Sequence, residues 1–404
     1  MQPEPFIVIG GGLAGLTAAT ALVRHGRSVI LHEQSSHLGG RAVTQRQRGF
    51  ALNLGPHAVY RAGALLRTFS EWNIPVPGKP VRLSGNCWLL DGGKQYRFPA
   101  GSAGLFASDA FTVSEKLSIA KLLTILPSPR APMTFDEWLS EHVRAGRPRQ
   151  FFTALARLST YVRNPGELDA TAALNQLRLA ISGGVVYVDG GWQTLIDGLE
   201  EKAISLGVRI STRSVARRVE PHAVHLASGE RISCAGVILA TPPDDVEQLT
   251  GTHFPSLSPA RIACLDIALR KLPAKCAQFA LGLEEPVYFS RQSTYARIAP
   301  EGGAVIHLGR YLAPGEEASR ESLESLASSL MPGWEPHAET VRYLPNMLVT
   351  AAIPTPAGRP AADSIPGITL AGDWIGSDAM LADASVSSGL HAAELVQRRT
   401  AAAA

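Results

Sequence analysis

Cysteine is scarce in this 404-residue chain, and the four present (Cys87, Cys234, Cys264, Cys276) show no CxxC or CxxH spacing. Neither a disulfide framework nor a zinc or other metal site is indicated; the pattern fits a reducing compartment, and a cytoplasmic location is expected. No run of about 18 uncharged apolar residues occurs, so nothing is expected to span a bilayer. The start, Met1-Gln2-Pro3-Glu4-Pro5, lacks the basic residues of a secretory signal, and the mature protein is expected to be the whole chain. Charge of one sign is not concentrated either. With 38 Lys+Arg against 35 Asp+Glu and no block of like charge, the chain lacks the basic face that phosphate backbones require, which excludes nucleic acid as its main partner.

What remains is a globular composition, 45% hydrophobic and 18% charged, long enough for about two domains and a sizeable core. The chemistry concentrates in the first forty residues. Phe6-Ile7-Val8-Ile9 reads as a strand, Gly10-Gly11-Gly12-Leu13-Ala14-Gly15 as GxGxxG, and Leu16 to Val23 as a helix. That succession is the dinucleotide fingerprint: Gly10 makes the tight turn, Gly12 lets a pyrophosphate approach, and Gly15 lets the helix pack on the strand. The helix N-terminus offers free N–H groups to phosphate. Ser28 to Glu33 is the second strand, and its terminal carboxylate suits ribose hydroxyls while repelling a 2′-phosphate, which disfavours NADP.

Leu38-Gly39-Gly40-Arg41 follows the acid directly, with Gly55-Pro56-His57 after it; near the other end stand Leu370-Ala371-Gly372-Asp373-Trp374 and Ala384-Ser385-Val386-Ser387-Ser388-Gly389, after which Leu390 to Val396 reads as helix. With these residues the chain resembles the flavoprotein superfamily of phytoene desaturases, protoporphyrinogen oxidases and flavin-containing amine oxidases. The resemblance implies an α/β fold, with a discontinuous Rossmann-like FAD-binding domain and an α+β substrate domain. It implies non-covalent FAD, bound by Gly10, Gly12, Leu13, Ala14, Gly15, Glu33, Gly39, Gly40, Arg41, Val215, Gly372, Asp373, Ser385 and Val386. In it, Arg41 meets the pyrophosphate, Asp373 the ribityl–pyrophosphate region, the strand through Val215 brackets adenine, and backbone N–H near Val386 faces the flavin pyrimidine. Tyr187 to Leu195 resembles the family's turn back into the FAD domain. The implied division is 1–75, 186–252 and 355–404 for FAD binding, with 76–185 (mostly helical) and 253–354 (strand-rich) forming the substrate domain.

For the helical part, Ser114 is read as the cap of a helix in which Ile119, Leu122, Leu123 and Leu126 share one face. Peripheral membrane contact through this helix is left open, with packing inside the substrate domain favoured. Strands are expected at 87–90, 96–98, 262–269 and 304–308, a helix near 320–330, and a frayed tail from Thr400 to Ala404.

No second dinucleotide fingerprint is visible, so electrons are expected to flow from a small apolar organic substrate to FAD and on to O2, a quinone or another acceptor. Dehydrogenation of an isoprenoid-like substrate ranks first. Amine oxidation ranks lower, because Lys271 and Lys275 flank Pro273 and Met380-Leu381-Ala382-Asp383 offers no aromatic cage. Protoporphyrinogen oxidation, a reduced-flavin isomerase and a non-catalytic prenyl-binding role of the same fold stay open. His57 is the candidate catalytic residue, as a proton acceptor or relay. His307, Tyr311 and Tyr343 lie on segments able to line the pocket, though an ordinary core role is favoured for each.

Overall fold

The computed structural model describes residues 4–254, 257–376 and 379–403. Two sheets dominate. In chain order their strands are β1 (Phe6–Ile9), β2 (Val29–His32), β3 (Cys87–Asp91), β4 (Lys94–Arg97), β5 (Arg209–Ser211), β6 (Gly236–Leu239), β7 (Ala260–Leu269), β8 (Phe279–Gly282), β9 (Val287–Ser290), β10 (Ala304–Leu312), β11 (Ala338–Thr350) and β12 (Ile368–Leu370). The first sheet is parallel, with strand order β5-β2-β1-β6-β12. Its central strands are apolar without alternation, as burial on both faces demands, and β1 and β6 are buried at every residue. Helix α1 (Leu13–Arg24) packs on one face; the other face carries its own core with Val219, Val224 and Leu249.

The second sheet runs β11-β7-β10-β9-β8-β3-β4 and is antiparallel except at β8–β3. One face packs on α10 (Arg320–Leu330) through Leu265, Ile267, Leu308 and Leu323. The other looks into the molecule and meets a helical lobe formed by α3 (Gly101–Ala107), α4 (Val113–Ile125), α5 (Phe135–His142), α6 (Arg147–Thr160) and α7 (Ala170–Arg178). The remaining helices are α2 (Ala64–Glu71), α8 (Gln193–Ser205), α9 (Pro243–Thr250) and α11 (Leu381–Ala403). A short sheet joins Val59–Tyr60, Val185–Val188 and Gly78–Pro80 between the two halves.

Three local expectations are corrected. Helix α4 is capped by Thr112, not Ser114: the Thr112 hydroxyl accepts from the Glu115 N–H and the Glu115 carboxylate accepts from the Thr112 N–H, a closed capping box. Helix α11 begins at Leu381, well before the Ser-Ser-Gly run, and it continues to Ala403, where a frayed tail was expected; Ala404 lies outside the described residues. Alanine's helix propensity accounts for the extension. The expected inner face holds along α4 and its C-cap residue Leu126: Ile119, Leu122 and Leu126 are buried and Leu123 is half-buried. A second apolar set, Val113, Leu117 and Ile125, faces outward.

Candidate functional site

The turn after β1 is built by steric necessity. A Cβ at Gly10 (φ +106°) would lie 2.5 Å from the Ala240 carbonyl oxygen, and one at Gly15 1.9 Å from the Gly10 oxygen, so neither position admits a side chain. Gly12 differs: a Cβ there meets no protein atom within 4 Å and points into open groove. Gly12 also caps α1 without a side-chain hydrogen bond, so the first N–H groups of the helix are left for a ligand. Glu33, just past β2, accepts from the Gly11 N–H (2.7 Å) and the Ser35 N–H (2.7 Å), which ties the glycine turn to the strand end while leaving further lone pairs.

This groove is one end of a cavity of about 1700 Å³. That exceeds the roughly 300–1,000 Å³ of a single small-molecule site and suits two ligands end to end. Its polar end is lined by Gly10, Gly12, Leu13, Ala14, Glu33, Gly39, Gly40, Arg41, Val215, Gly372, Asp373 and Ser385, gathered from three distant stretches of chain. Gly15 does not line it, because its role is the close approach of α1 to the strand. Val386 does not line it either. It is fully buried, about a turn and a half inside α11, where its N–H belongs to the helix ladder, so the helix end that reaches the cavity is Leu381, Ala382 and Asp383.

Arg41 and Asp373, separated by 332 residues, grip each other: two guanidinium N–H groups meet the two carboxylate oxygens at 2.9 and 2.6 Å, and Arg41 also donates to the Val349 carbonyl at 2.5 Å. Asp373 is buried, whereas the Arg41 side chain stays 45% exposed toward the cavity. The Ser388 hydroxyl closes the same corner, accepting from the Gly372 N–H (2.9 Å) and facing the Gly372 carbonyl oxygen at 2.8 Å.

His57 lines the middle of the cavity. Its Nδ1 faces the Gly55 carbonyl at 3.1 Å, and its ring packs edge-on against Trp192 at 4.8 Å. Burial pushes its pKa down to about 4 despite the Gly55 hydrogen bond, so the ring is neutral near pH 7. Asp383 lines the cavity too. It accepts from the Leu65 N–H (2.8 Å) at the start of α2, where Gly63 leaves it room, and burial raises its pKa to about 6. His307 and Tyr311 lie behind the wall, fully buried, and Tyr343 binds the Ala318 carbonyl elsewhere. Among the described residues no group of three or more His, Cys, Asp or Glu is arranged to hold a metal.

Beyond His57 the lining changes character. From Val59 to Val185 and from Ile262 to Val349 it contains no charged residue, and no lysine lines any part of the cavity. Leu83, Phe98, Leu123, Phe151, Leu155, Leu177 and Phe279 make up much of this lobe, with Tyr60, Tyr161, Tyr187 and Tyr288 where it meets the polar half. Sequence reasoning missed Trp192, Asp383 and these tyrosines as site residues; their spacing carries no signal, and only the fold brings them together.

A family model described as flavin containing amine oxidoreductase matches residues 13–264. The chain belongs to that family. The fit to FAD is physical as well: a side chain at Gly12 would fill the groove, Glu33 and the start of α1 offer the ribose and phosphate partners, and the cavity has room for a flavin beyond them. A 4,4'-diaponeurosporene oxygenase of Staphylococcus haemolyticus is 25% identical over 254 residues, 52% of this chain and 49% of the relative, so the match spans about half the length of that protein. An oxidoreductase from Methanosarcina mazei superposes with a TM-score of 0.77 at 16% identity, covering 96% of this chain and all of the other. Wild-type putrescine oxidase bound to putrescine superposes at 0.69 and 16% identity, covering 98% and 99%. At these identities the structural likenesses establish the fold alone.

Proposed function

We propose that the protein is an FAD-dependent oxidoreductase that dehydrogenates an uncharged, apolar, isoprenoid-like molecule. The observation that carries this reading is the charge-free lobe joined end to end with the dinucleotide groove. An amine substrate buried in the lobe calls for a carboxylate to pair with its ammonium group, and a porphyrinogen calls for cations to receive its carboxylates. The lobe offers neither charge, and burying such groups unpaired is costly. When bound, FAD supplies two-electron oxidation. Around it, Gly12, Glu33 and the α1 end hold the dinucleotide, Arg41 reaches phosphate, Asp373 anchors Arg41, and Val215 bounds the adenine. The lobe orients the substrate and excludes water. His57, a neutral imidazole in the cavity wall, is the candidate proton acceptor. The FAD-binding unit comprises 1–75, 186–252 and 355–404, and the substrate unit the two stretches between.

The lobe also supports peripheral contact with a bilayer. Phe106, Val113, Leu117, Ile125 and Ile181 are exposed between 45% and 71%, on or beside the helices whose inner residues line the cavity. No helix among the described residues is long and apolar enough to cross a membrane, so such contact is through one face.

The test is anaerobic bleaching of the yellow holoprotein by phytoene in detergent micelles, by a protoporphyrinogen and by several amines. Bleaching by the polyene alone is the expected result. Bleaching by amines would overturn the substrate class, and a protein that takes up no FAD would overturn the enzyme reading in favour of a prenyl-binding module.

A further inference from the structure

The apolar lobe opens to solvent on its helical side. Ser102 on α3, Thr124 on α4 and Ile181 after α7 line the cavity and are also exposed, whereas Ala120, Leu123 and Leu177 line it from further in. The opening therefore lies between α4 and the chain that leaves α7. That chain leaves in an unusual way. Leu179–Gly183 carries the helix on as a wider π turn, and Gly184 ends it in the left-handed region at φ +66°. π turns are rare and recur at functional sites. None of the five residues is buried, so little packing holds this side of the opening in place.

What holds it is one side chain at its base. Arg178, the last residue of α7, reaches the chain that ends α4: its Nη2 donates to the Leu126 carbonyl (2.6 Å) and the Ser128 hydroxyl (3.1 Å), and its Nη1 to Asn175 Oδ1 (2.9 Å). Leu126 caps α4 in the left-handed region (φ +35°), and Pro127 cannot carry the helix on, so the Leu126 carbonyl is an acceptor that the helix itself leaves unfilled. A cation there also suits the helix dipole. The α4 side is anchored in turn, because the Pro127 carbonyl accepts from Trp138 Nε1 (3.0 Å), and Trp138 is fully buried. One side of the opening is thus fixed to the core, and the other is fixed to the first through Arg178.

We propose that Arg178 is a positioning residue for substrate entry: it ties the π turn to the end of α4 and so sets the width of the opening through which an apolar molecule reaches the lobe. This rests on the reading of the lobe as the substrate site. With the tie in place the opening stays narrow and the lobe stays shielded from water, as chemistry at a flavin requires. Without it the π turn, unpacked and ended by glycine, is free to swing away from α4. Arg178 does not line the cavity, so it acts on the passage and not on the bound molecule. A residue of that kind changes entry and exit in the same proportion and leaves the affinity where it was. Ile181, exposed at the rim and lining the cavity, is the side chain that the tie positions.

The test follows N-phenyl-1-naphthylamine, an uncharged apolar dye that emits on leaving water, into and out of the FAD-loaded protein by stopped-flow fluorescence. The lobe's share of the signal is the part absent from Leu155→Trp, whose ring fills the lobe. Arg178→Ala is expected to raise the entry and exit rates together, about 10-fold, at unchanged Kd. Arg178→Lys, which reaches fewer of the three acceptors, is expected to fall between. Ile181→Trp narrows the opening and is expected to slow both rates about 10-fold, which keeps the test decisive where Arg178→Ala fails to fold. Ile204→Trp, exposed on α8 and outside the cavity lining, is the control and is expected to change neither rate. Rates blind to Arg178 and Ile181, or an exit rate that changes alone and carries Kd with it, would overturn the tie. A dye with no lobe share at all defeats the apolar-lobe reading, and the tie with it.

Discussion

Removing Arg41 isolates the corner that joins the two ends of the chain. Arg41→Ala deletes both hydrogen bonds to Asp373, at 2.9 and 2.6 Å, and strands a carboxylate that is 2% exposed. Breaking a fully buried pair costs about 3–5 kcal/mol. Here the arginine side is 45% exposed, so water enters where it stood and the cost falls to about 2–3 kcal/mol. Unfolding entropy near 2.1 cal/mol/K per residue over this length gives about 0.85 kcal/mol/K, so the apoprotein should melt about 3 °C lower. Asp373→Asn keeps an acceptor and loses the charge, and it should cost about half as much. The decisive quantity is the coupling between the two changes. With Asp373 already neutral, Arg41→Ala has little left to break, so the double variant should melt close to the Arg41→Ala protein, with about 1–2 kcal/mol of coupling that shrinks in high salt. The measurement is thermal unfolding of the four apoproteins by calorimetry. Additive costs, within about 0.5 kcal/mol, would refute the account of this corner, whatever flavin does there.

Two glycines of the fingerprint should fail in opposite ways. Gly15→Ala drives a methyl to 1.9 Å from the Gly10 oxygen and should yield a protein that melts many degrees lower or does not purify. Gly12→Val projects into the groove and should leave apoprotein melting within about 1 °C of wild type while FAD uptake is lost, measured by flavin fluorescence titration. For Asp383, the folded pKa of about 6 stands above the ordinary 3.8, so the fold favours the protonated form. That contribution is complete below pH 4 and is lost as pH rises through 6, a swing on the order of 3 kcal/mol. Asp383→Asn keeps an oxygen for the Leu65 N–H, so its melting temperature should gain on wild type between pH 4 and 6; a difference independent of pH would contradict this. The double change Leu117→Ser, Ile125→Ser should lower co-sedimentation with anionic vesicles without altering flavin content; undiminished sedimentation would count against the bilayer face.

What could be read from the sequence was what is local in it. The strand–turn–helix at 6–24 and the acid at 33 depend on neighbours within one turn, so periodicity and glycine placement suffice. The cap of α4 was also local and was still misread: Thr112 and Ser114 both offer hydroxyls, and the deciding residue is Glu115, three after Thr112, which closes a box that Ser114 cannot. The start of α11 was not local. Gly389 reads as a helix boundary, yet it sits inside the helix because a Cβ there would lie 2.5 Å from the Ala14 oxygen on α1. Tertiary contact, not a turn, demands that glycine.

The buried Asp266, paired with His307 on β10 and Arg342 on β11 at 2.5 Å each, shows why much of the interior was hidden, and where a trace of it lay. Register across three strands is fixed by pairing between segments as far apart as 266 and 342, and a shift of one residue would send every member to the opposite face. No spacing encodes that. One signal went unused: Asp266 lies in Cys-Leu-Asp-Ile-Ala-Leu, an apolar run too continuous for an exposed strand. A carboxylate inside such a run must find a cation and a donor in the core or forfeit several kcal/mol, so its presence alone required partners such as His307 and Arg342.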